Sequence, residues 1–334
     1  MKKRKWLYTL IIVLTVLLII AAIAFKTLNT KVEKTANTIH TKINRVKSDL
    51  RNKQVSIKNN DPVSIALFGV DSNTKRLATG DAGRSDSIIL ISINPKKNSS
   101  VMVSIPRDTY SEIVGHDTHE KINRAYNYGG AKMAVESVER LMNVPIDYYA
   151  TINMDGIREM IDAVGGVDVI SNATFEYEGN QFVQNQEAHL DGKKALSFIR
   201  SRKQEGAGGD FGRQERQQIV IQALADRLLS IQSVTKLDAI LKTIEHNVVT
   251  DITFDDIKTL KSNYSKSLNN VEKYQLSGSG QFLNDYLWYF IPNLEEKNRV
   301  QNAYLKNLGL KEQPLEKDTY EFPTIEVQTS EYQY

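Results

Sequence analysis

The sequence predicts an α/β fold: a mixed β-sheet flanked by helices, forming a single extracytoplasmic domain behind an N-terminal transmembrane helix. Strand-like and helix-like segments alternate through the first two thirds of the chain. If the first three strand candidates form an antiparallel meander, the sheet is mixed rather than strictly parallel. An unbroken apolar run follows a basic cluster at the N-terminus. With 334 residues, 41% of them apolar, the remainder of the chain can bury one full core. A net charge of only +3 speaks against a bulk electrostatic partner such as duplex nucleic acid, so basic residues matter by local placement. The absence of cysteine excludes disulfides, thiol catalysis and cysteine zinc sites, and it suits an extracytoplasmic protein.

Residues 1–5 form a basic tail containing Lys2, Lys3, Arg4 and Lys5, and residues 6–25, Trp6 to Phe25, are long and apolar enough to cross a bilayer as a helix. The basic flank stays cytoplasmic, which places everything after Lys26 outside. A cleaved signal peptide is the competing reading, because Ala22 and Ala24 give a small-x-small end, but the run exceeds the usual leader length. Residues 26–60 form the next unit. Val32, Ala36, Ile39, Ile43, Val46 and Leu50 alternate steps of four and three, which describes either a short coiled-coil stalk or a helix lying back on its own domain.

The main domain is expected over 61–310. Pro62 to Val70, Asp86 to Ile93 and Val101 to Ile105 are buried-strand candidates. In a meander the first strand ends at Asp71, the second begins at Asp86, and the third ends at Arg107 and Asp108, so these side chains share one sheet edge. The loop 72–85 brings Arg84 there as well. Two carboxylates with no cysteine or paired histidine suit Mg²⁺, with Mn²⁺ as its substitute, bridging to a phosphate. The bland alternative is strand-end aspartates in turns. The stretch KINRAYNYGG reads as a polar loop before a helix, Ala131 to Met142; a strand at Ile146 to Asn153, a helix at Gly156 to Val164 and a strand at Val167 to Ile170 follow. His116 and His119 lack the spacing of a zinc motif and are expected in a solvated loop. Leu190 to Arg202 reads as a helix capped by Asp191. Beyond Ser230 come helices at Val234 to Val249 and Phe254 to Ser262, a Ser-Gly turn at Ser277 to Gly280, an aromatic-rich segment at Asp285 to Ile291, and a loose polar tail over 311–334.

The stretch Ile199 to Gln218, IRSRKQEGAGGDFGRQERQQ, concentrates the candidate chemistry. Val220, Leu224 and Leu228 form an apolar helical stripe, and stepping backward along it lands on Gln217 and Arg213. An inward arginine in a helix's first turns calls for a phosphate or carboxylate. Asp210 occupies the expected N-cap, and a plain capping carboxylate with solvated arginines is the bland alternative. Arg200 and Arg202 leave the preceding helix just before the glycine turn and are placed to converge with Arg213. Arg216, one step off the stripe, is expected to be a neutral control position.

Taken together, LFGVDS, GRSDSI, SIPRDTY, KINRAYNYGG, GGVDV, RSR and DFGRQERQ resemble the LytR-CpsA-Psr family of cell-wall proteins from about Ser64 to Leu229. The resemblance implies an enzyme that moves an undecaprenyl-pyrophosphate-linked glycopolymer, such as wall teichoic acid, onto the 6-hydroxyl of peptidoglycan N-acetylmuramic acid as a phosphodiester. It further implies dependence on Mg²⁺, an apolar pocket for the polyprenyl chain and a place on the outer face of a Gram-positive cell membrane. By this resemblance Asp71 and Asp86 are metal-associated, Arg84 and Arg107 contact phosphate, and Arg200, Arg202, Asp210, Arg213 and Gln217 form a second cluster. Asp86, Asp108 and Asp210 stand as alternative proton acceptors. The sequence departs from the family pattern at Ser87 and in the glycine-rich approach to Asp210. Rival functions are a non-catalytic binder of polyprenyl phosphates or wall polymer, a lipid pyrophosphatase that uses water as acceptor, and a regulator, against which the outward topology argues.

Overall fold

The computed structural model describes residues 29–71, 83–230, 234–283 and 285–315. The expected transmembrane run, the loop 72–82 and the tail beyond 315 lie outside these residues, and no helix among the described residues is long and apolar enough to cross a membrane. The centre is a six-stranded sheet made of β1 (Val63–Val70), β2 (Ser85–Asn94), β3 (Ser99–Ile105), β4 (Tyr148–Asn153), β5 (Val248–Thr250) and β6 (Val271–Gln275). Its spatial order is β5-β4-β1-β2-β3-β6. The expected meander is present: β1 pairs antiparallel with β2, and β2 antiparallel with β3. β4 runs parallel to β1 and β6 parallel to β3, which makes the sheet mixed.

Both faces of the meander are covered, which is why its strands read as near-continuous apolar runs. Ala66, Phe68, Leu90 and Val103 face one core, shared with Val135 and Val138 of helix α2 (Arg124–Met142) and with Val300 and Tyr304 of the C-terminal helix Leu294–Asn307. Ile65, Ile89, Ile91 and Met102 face the opposite core with Ile57, Ile252 and Tyr264. A third core lies between α3 (Met154–Val164), α4 (Gly192–Arg200) and α5 (Gly209–Ser230), where Ile161, Leu196, Phe198, Ile199 and Val220 meet. The domain thus presents the sheet edge on one side of the site and the α4–α5 pair on the other.

The described part of the N-terminal segment packs on the domain. Helix α1 covers only 29–39, and it packs against α6 (Val234–Asn247) through Lys31 to Asp238 at 2.8 Å and Thr35 to Glu245 at 2.7 Å. Ala36 and Ile39 are buried, whereas Val46 and Leu50, the later members of the heptad pattern, are exposed in non-helical chain. This helix lies on its own domain. The chain that follows is clamped: Tyr149 Oη donates to Thr41 O at 2.7 Å, Arg45 pairs with Glu139, and Arg51 binds the buried carboxylate of Asp147.

Other boundaries shift for physical reasons. The polar stretch before Ala131 belongs to α2, which starts at Arg124 and is kinked at Gly129 and Gly130. The helix expected to reach Val249 stops at Asn247, because β-branched Val248 and Val249 pair with Ile152 and Thr151 as strand β5. The helix from Phe254 closes at Thr259 and passes into a wider turn, Leu260–Tyr264. The Ser-Gly segment is no turn: Gly278 opens a strand, Gly278–Phe282, that pairs with Trp288–Pro292. His119 likewise lies in a strand, Thr118–Lys121, opposite Tyr110–Ile113.

Candidate functional site

Where β1 ends, β2 begins and β3 turns away, the three tips bring Asp71, Asp86 and Arg107 to one edge, with the Asp71 amide donating to Arg84 O at 2.9 Å. Opposite them, Arg200 and Arg202 leave α4 and Arg213 and Gln217 project from the first turns of α5. The two sides enclose a cavity of about 490 Å³ lined by Asp71, Asp86, Arg107, Arg200, Arg202, Arg213 and Gln217, and completed by Tyr177, Ile199, Lys203 and Gln204. Residues more than a hundred positions apart therefore share one space roomy enough for a diphosphate.

The charges in it are ordered by a ladder of ion pairs. Arg107 Nη1 lies 2.9 Å from Asp86 Oδ2, and Asn123 Nδ2 reaches the other oxygen of Asp86 at 3.4 Å. Arg213 Nη2 lies 2.7 Å from Asp210 Oδ1, which Arg202 Nη1 approaches at 3.8 Å, and Gln214 Nε2 donates to Asp210 Oδ2 at 2.9 Å. Burial pulls the Arg107 guanidinium down, but Asp86, Asp108 and Asp210 outweigh it and hold its pKa above the ordinary value. Arg213 goes the other way: burial lowers it, Asp210 opposes, and the positive charges of Arg107 and Arg202 lower it further. The buried Nε of Arg213 has no hydrogen-bond partner, and that of Arg107 has only the Asp108 carboxylate at 3.6 Å. Crowded, partly desolvated guanidinium groups with donors to spare form a receptor for a multiply charged anion.

Local sequence explains this convergence. Asp191 caps α4 by accepting from Lys194 N at 2.8 Å, as its sequence position predicts. The glycine-rich turn is needed for close approach. Gly206 has φ +76°, and a Cβ there would sit 2.1 Å from Thr174 O. Asp210 lies inside the first turn of α5 rather than ahead of it, because the helix begins at Gly209. Its carboxylate organises Arg213, Arg202 and Gln214 instead of capping.

Arg216 overturns an expectation. It is fully buried, donates from Nε to Phe198 O at 2.9 Å, from Nη2 to Ser201 O at 2.6 Å and from Nη1 to Asn172 Oδ1 at 3.2 Å, and stacks on Phe175 at 4.6 Å. An arginine one step off the apolar stripe still faces inward here, because α4 packs against that flank of α5 and leaves the carbonyls at its C-terminal end in need of donors. Arg84 is exposed, and its side chain is not among the cavity walls. Of the three candidate proton acceptors only Asp86 lines the cavity; Asp108 is held by Lys121 at 3.1 Å and lies outside it.

Residues 26–306 match the sequence profile of the LytR_cpsA_psr family. The chain belongs to this family. A relative from Bacillus licheniformis, named polyisoprenyl-teichoic acid–peptidoglycan teichoic acid transferase TagU, is 40% identical over 288 residues, which is 86% of this chain and 91% of the relative. The crystal structure of TagU from B. subtilis superposes with a TM-score of 0.61 at 36% identity, covering 76% of this chain and 100% of that one. A structure of TagT bound to LIIa-WTA gives a TM-score of 0.66 at 28% identity, covering 81% of this chain and all of the other. Membership agrees with the resemblance read from the motifs, and the fold matches that of solved members. Sequence reasoning missed Tyr177, Lys203, Gln204, Asn123 and Gln214. Lys203 and Gln204 were visible as neighbours of Arg202, but Tyr177 reaches the wall only through the ribbon Phe175–Tyr177 with Asn180–Phe182, for which no local motif speaks.

Proposed function

We propose that the chain is a phosphotransferase that moves an undecaprenyl-pyrophosphate-linked anionic glycopolymer, of the wall teichoic acid class, onto peptidoglycan N-acetylmuramic acid. The acceptor 6-hydroxyl attacks the phosphorus that bears the glycopolymer. The bond to the bridging oxygen of the diphosphate breaks, a phosphodiester forms, and undecaprenyl phosphate leaves while the hydroxyl proton passes to a carboxylate or solvent. The observation that carries this reading is the shared cavity: Arg107, Arg200, Arg202 and Arg213 surround the space where the diphosphate's charge must be held and where charge grows on the leaving phosphate. The TagU and TagT names and the teichoic-acid-bound TagT structure support the substrate class.

Asp71 and Asp86 line the same cavity and supply hard oxygen donors of the kind Mg²⁺ takes alongside substrate phosphates, with Mn²⁺ as a substitute. Asp86 keeps acceptor capacity beyond its bonds to Arg107 and Asn123. Such an ion, when bound, neutralises phosphoryl charge and acts as a Lewis acid. Trp6 to Phe25 would anchor the chain in the cell membrane with the N-terminus cytoplasmic and the catalytic domain outside, beside the lipid-linked donor.

The test is turnover. Purified full chain with Mg²⁺, lipid-linked donor and peptidoglycan should release undecaprenyl phosphate and label the peptidoglycan. Release without peptidoglycan at the same rate would identify a pyrophosphatase instead, and no release at all would leave a binding protein.

A further inference from the structure

The ribbon Gly278–Phe282 with Trp288–Pro292 carries an unusual surface. Phe282 is 53% exposed, Tyr286 82%, Leu287 44% and Trp288 40%, a clustering that marks an interaction surface rather than scattered apolar residues. The register sets Phe282 directly opposite Trp288 and Gly280 opposite Phe290, so these four share one face. The indole of Trp288 lies against Gly280, where a Cβ would meet its ring at 2.3 Å, so the glycine seats the tryptophan on the strand.

This face continues into the cavity rim. Phe290 packs edge-on against Phe211 at 6.1 Å, and Phe211 follows Asp210 on the first turn of α5. The Phe290 amide donates to Asp108 O at 2.9 Å, next to Arg107, and Tyr289 meets Tyr110 at 5.2 Å. An aromatic strip therefore leads outward from the phosphate-binding residues along Phe211, Phe290 and the Phe282–Trp288 pair.

Charge decides what the strip suits. Residues 278–292 contain no lysine or arginine, and their one charged residue is Asp285; Lys121, over the Tyr289 ring at 5.6 Å on the ribbon's other face, is paired with Asp108 at 3.1 Å. The Phe282–Trp288 face thus offers a polyanionic teichoic chain or an anionic bilayer no cation of its own. An uncharged saccharide is matched: the C–H faces of its pyranose rings pack on the electron-rich faces of aromatic rings, and the indole N–H is a donor for its hydroxyl or acetamido oxygens. We infer that this ribbon is the acceptor subsite, holding an N-acetylated glycan strand so that its hydroxyl reaches the cavity. The inference rests on the transferase reading for its role in turnover, but the saccharide contact stands apart from it.

Trp288 and Trp6 are the only tryptophans, so a Trp6→Phe chain reports on the ribbon alone by intrinsic fluorescence. Titration with N-acetylglucosamine tetramer should give a saturable emission shift that Phe282→Ala weakens about tenfold. In turnover assays Trp288→Ala and Phe282→Ala should raise the KM for glycan acceptor about tenfold and leave kcat and the KM for lipid-linked donor within twofold. Both side chains are exposed, so a retained melting temperature is expected and checks the fold. Absence of a saccharide-induced shift, or an unchanged acceptor KM, overturns the inference. A shift with phosphatidylglycerol vesicles but none with saccharide would show a membrane contact and overturn it equally. Saccharide binding in a protein that transfers nothing would refute the transferase and leave the ribbon's ligand in place.

Discussion

Replacing Arg216 with methionine should unfold more of the protein than it disturbs chemistry. The guanidinium bonds two backbone carbonyls at the end of α4, Phe198 O and Ser201 O, and the side chain of Asn172, and it stacks on Phe175. Burial pushes its pKa down to about 10, with Glu215 opposing and Arg213 adding to the effect, so it remains a cation at neutral pH. Methionine fills much of the volume but leaves the two carbonyls without their donor. Leaving two buried carbonyls without their donor costs roughly 1–3 kcal/mol each, or about 3–5 kcal/mol together. For a domain of this size, where 1 kcal/mol shifts Tm by roughly 2–4 °C, the melting temperature should fall by about 10 °C. Circular dichroism melts of the full chain in detergent measure this directly. Arg216→Lys, which keeps a charge and one carbonyl bond, should recover part of the loss. A melting curve within about 2 °C of the parent, accompanied by lost transfer, would refute the structural assignment and move Arg216 into the chemistry.

Arg213→Ala or Arg202→Ala should lower transfer by roughly 10²–10³-fold with little change in melting, as expected for groups that meet developing charge; equal losses in stability would instead mark structural ion pairs. Chelation with EDTA should abolish transfer and added Mg²⁺ should restore it, while Asp71→Ala should raise the Mg²⁺ concentration needed for half-maximal rate; activity indifferent to chelator would remove the metal assignment. Asp251 gives a pH prediction. Burial pushes its carboxyl up from 3.8 to about 6, partly offset by the Tyr149 amide that donates to it at 2.8 Å. The folded form therefore holds the proton more tightly than the unfolded chain, so its contribution is full below about pH 4 and is lost as pH rises through about 6. Asp251→Asn, whose amide oxygen still accepts from Tyr149, should be more stable than the parent by about 1–2 kcal/mol at pH 7 and indistinguishable below pH 4, as urea unfolding at both pH values would show.

The meander and its acidic edge were legible because buried strands announce themselves as apolar runs, and because a strand's end fixes where its flanking residues must stand. Arg213 and Gln217 were legible through the period of α5. Arg216 was not, since a helix with neighbours on two flanks has no single buried stripe, and only the position of α4 reveals the second. The N-terminal heptads left two readings open for a related reason: Ala36 and Ile39 satisfy the same spacing whether the partner is another copy or the helix Val234–Asn247 of the same chain. The Ser-Gly segment was misread because a glycine needed to seat an indole leaves the same mark in a sequence as one needed to turn.

The clamping of residues 40–51 bears on reach. Thr41, Arg45 and Arg51 are each fastened to the body of the domain, so residues 41–51 form a rigid mount rather than a leash. A segment fastened at three points cannot pay out slack, so it holds the domain's first helix at one fixed place on the body.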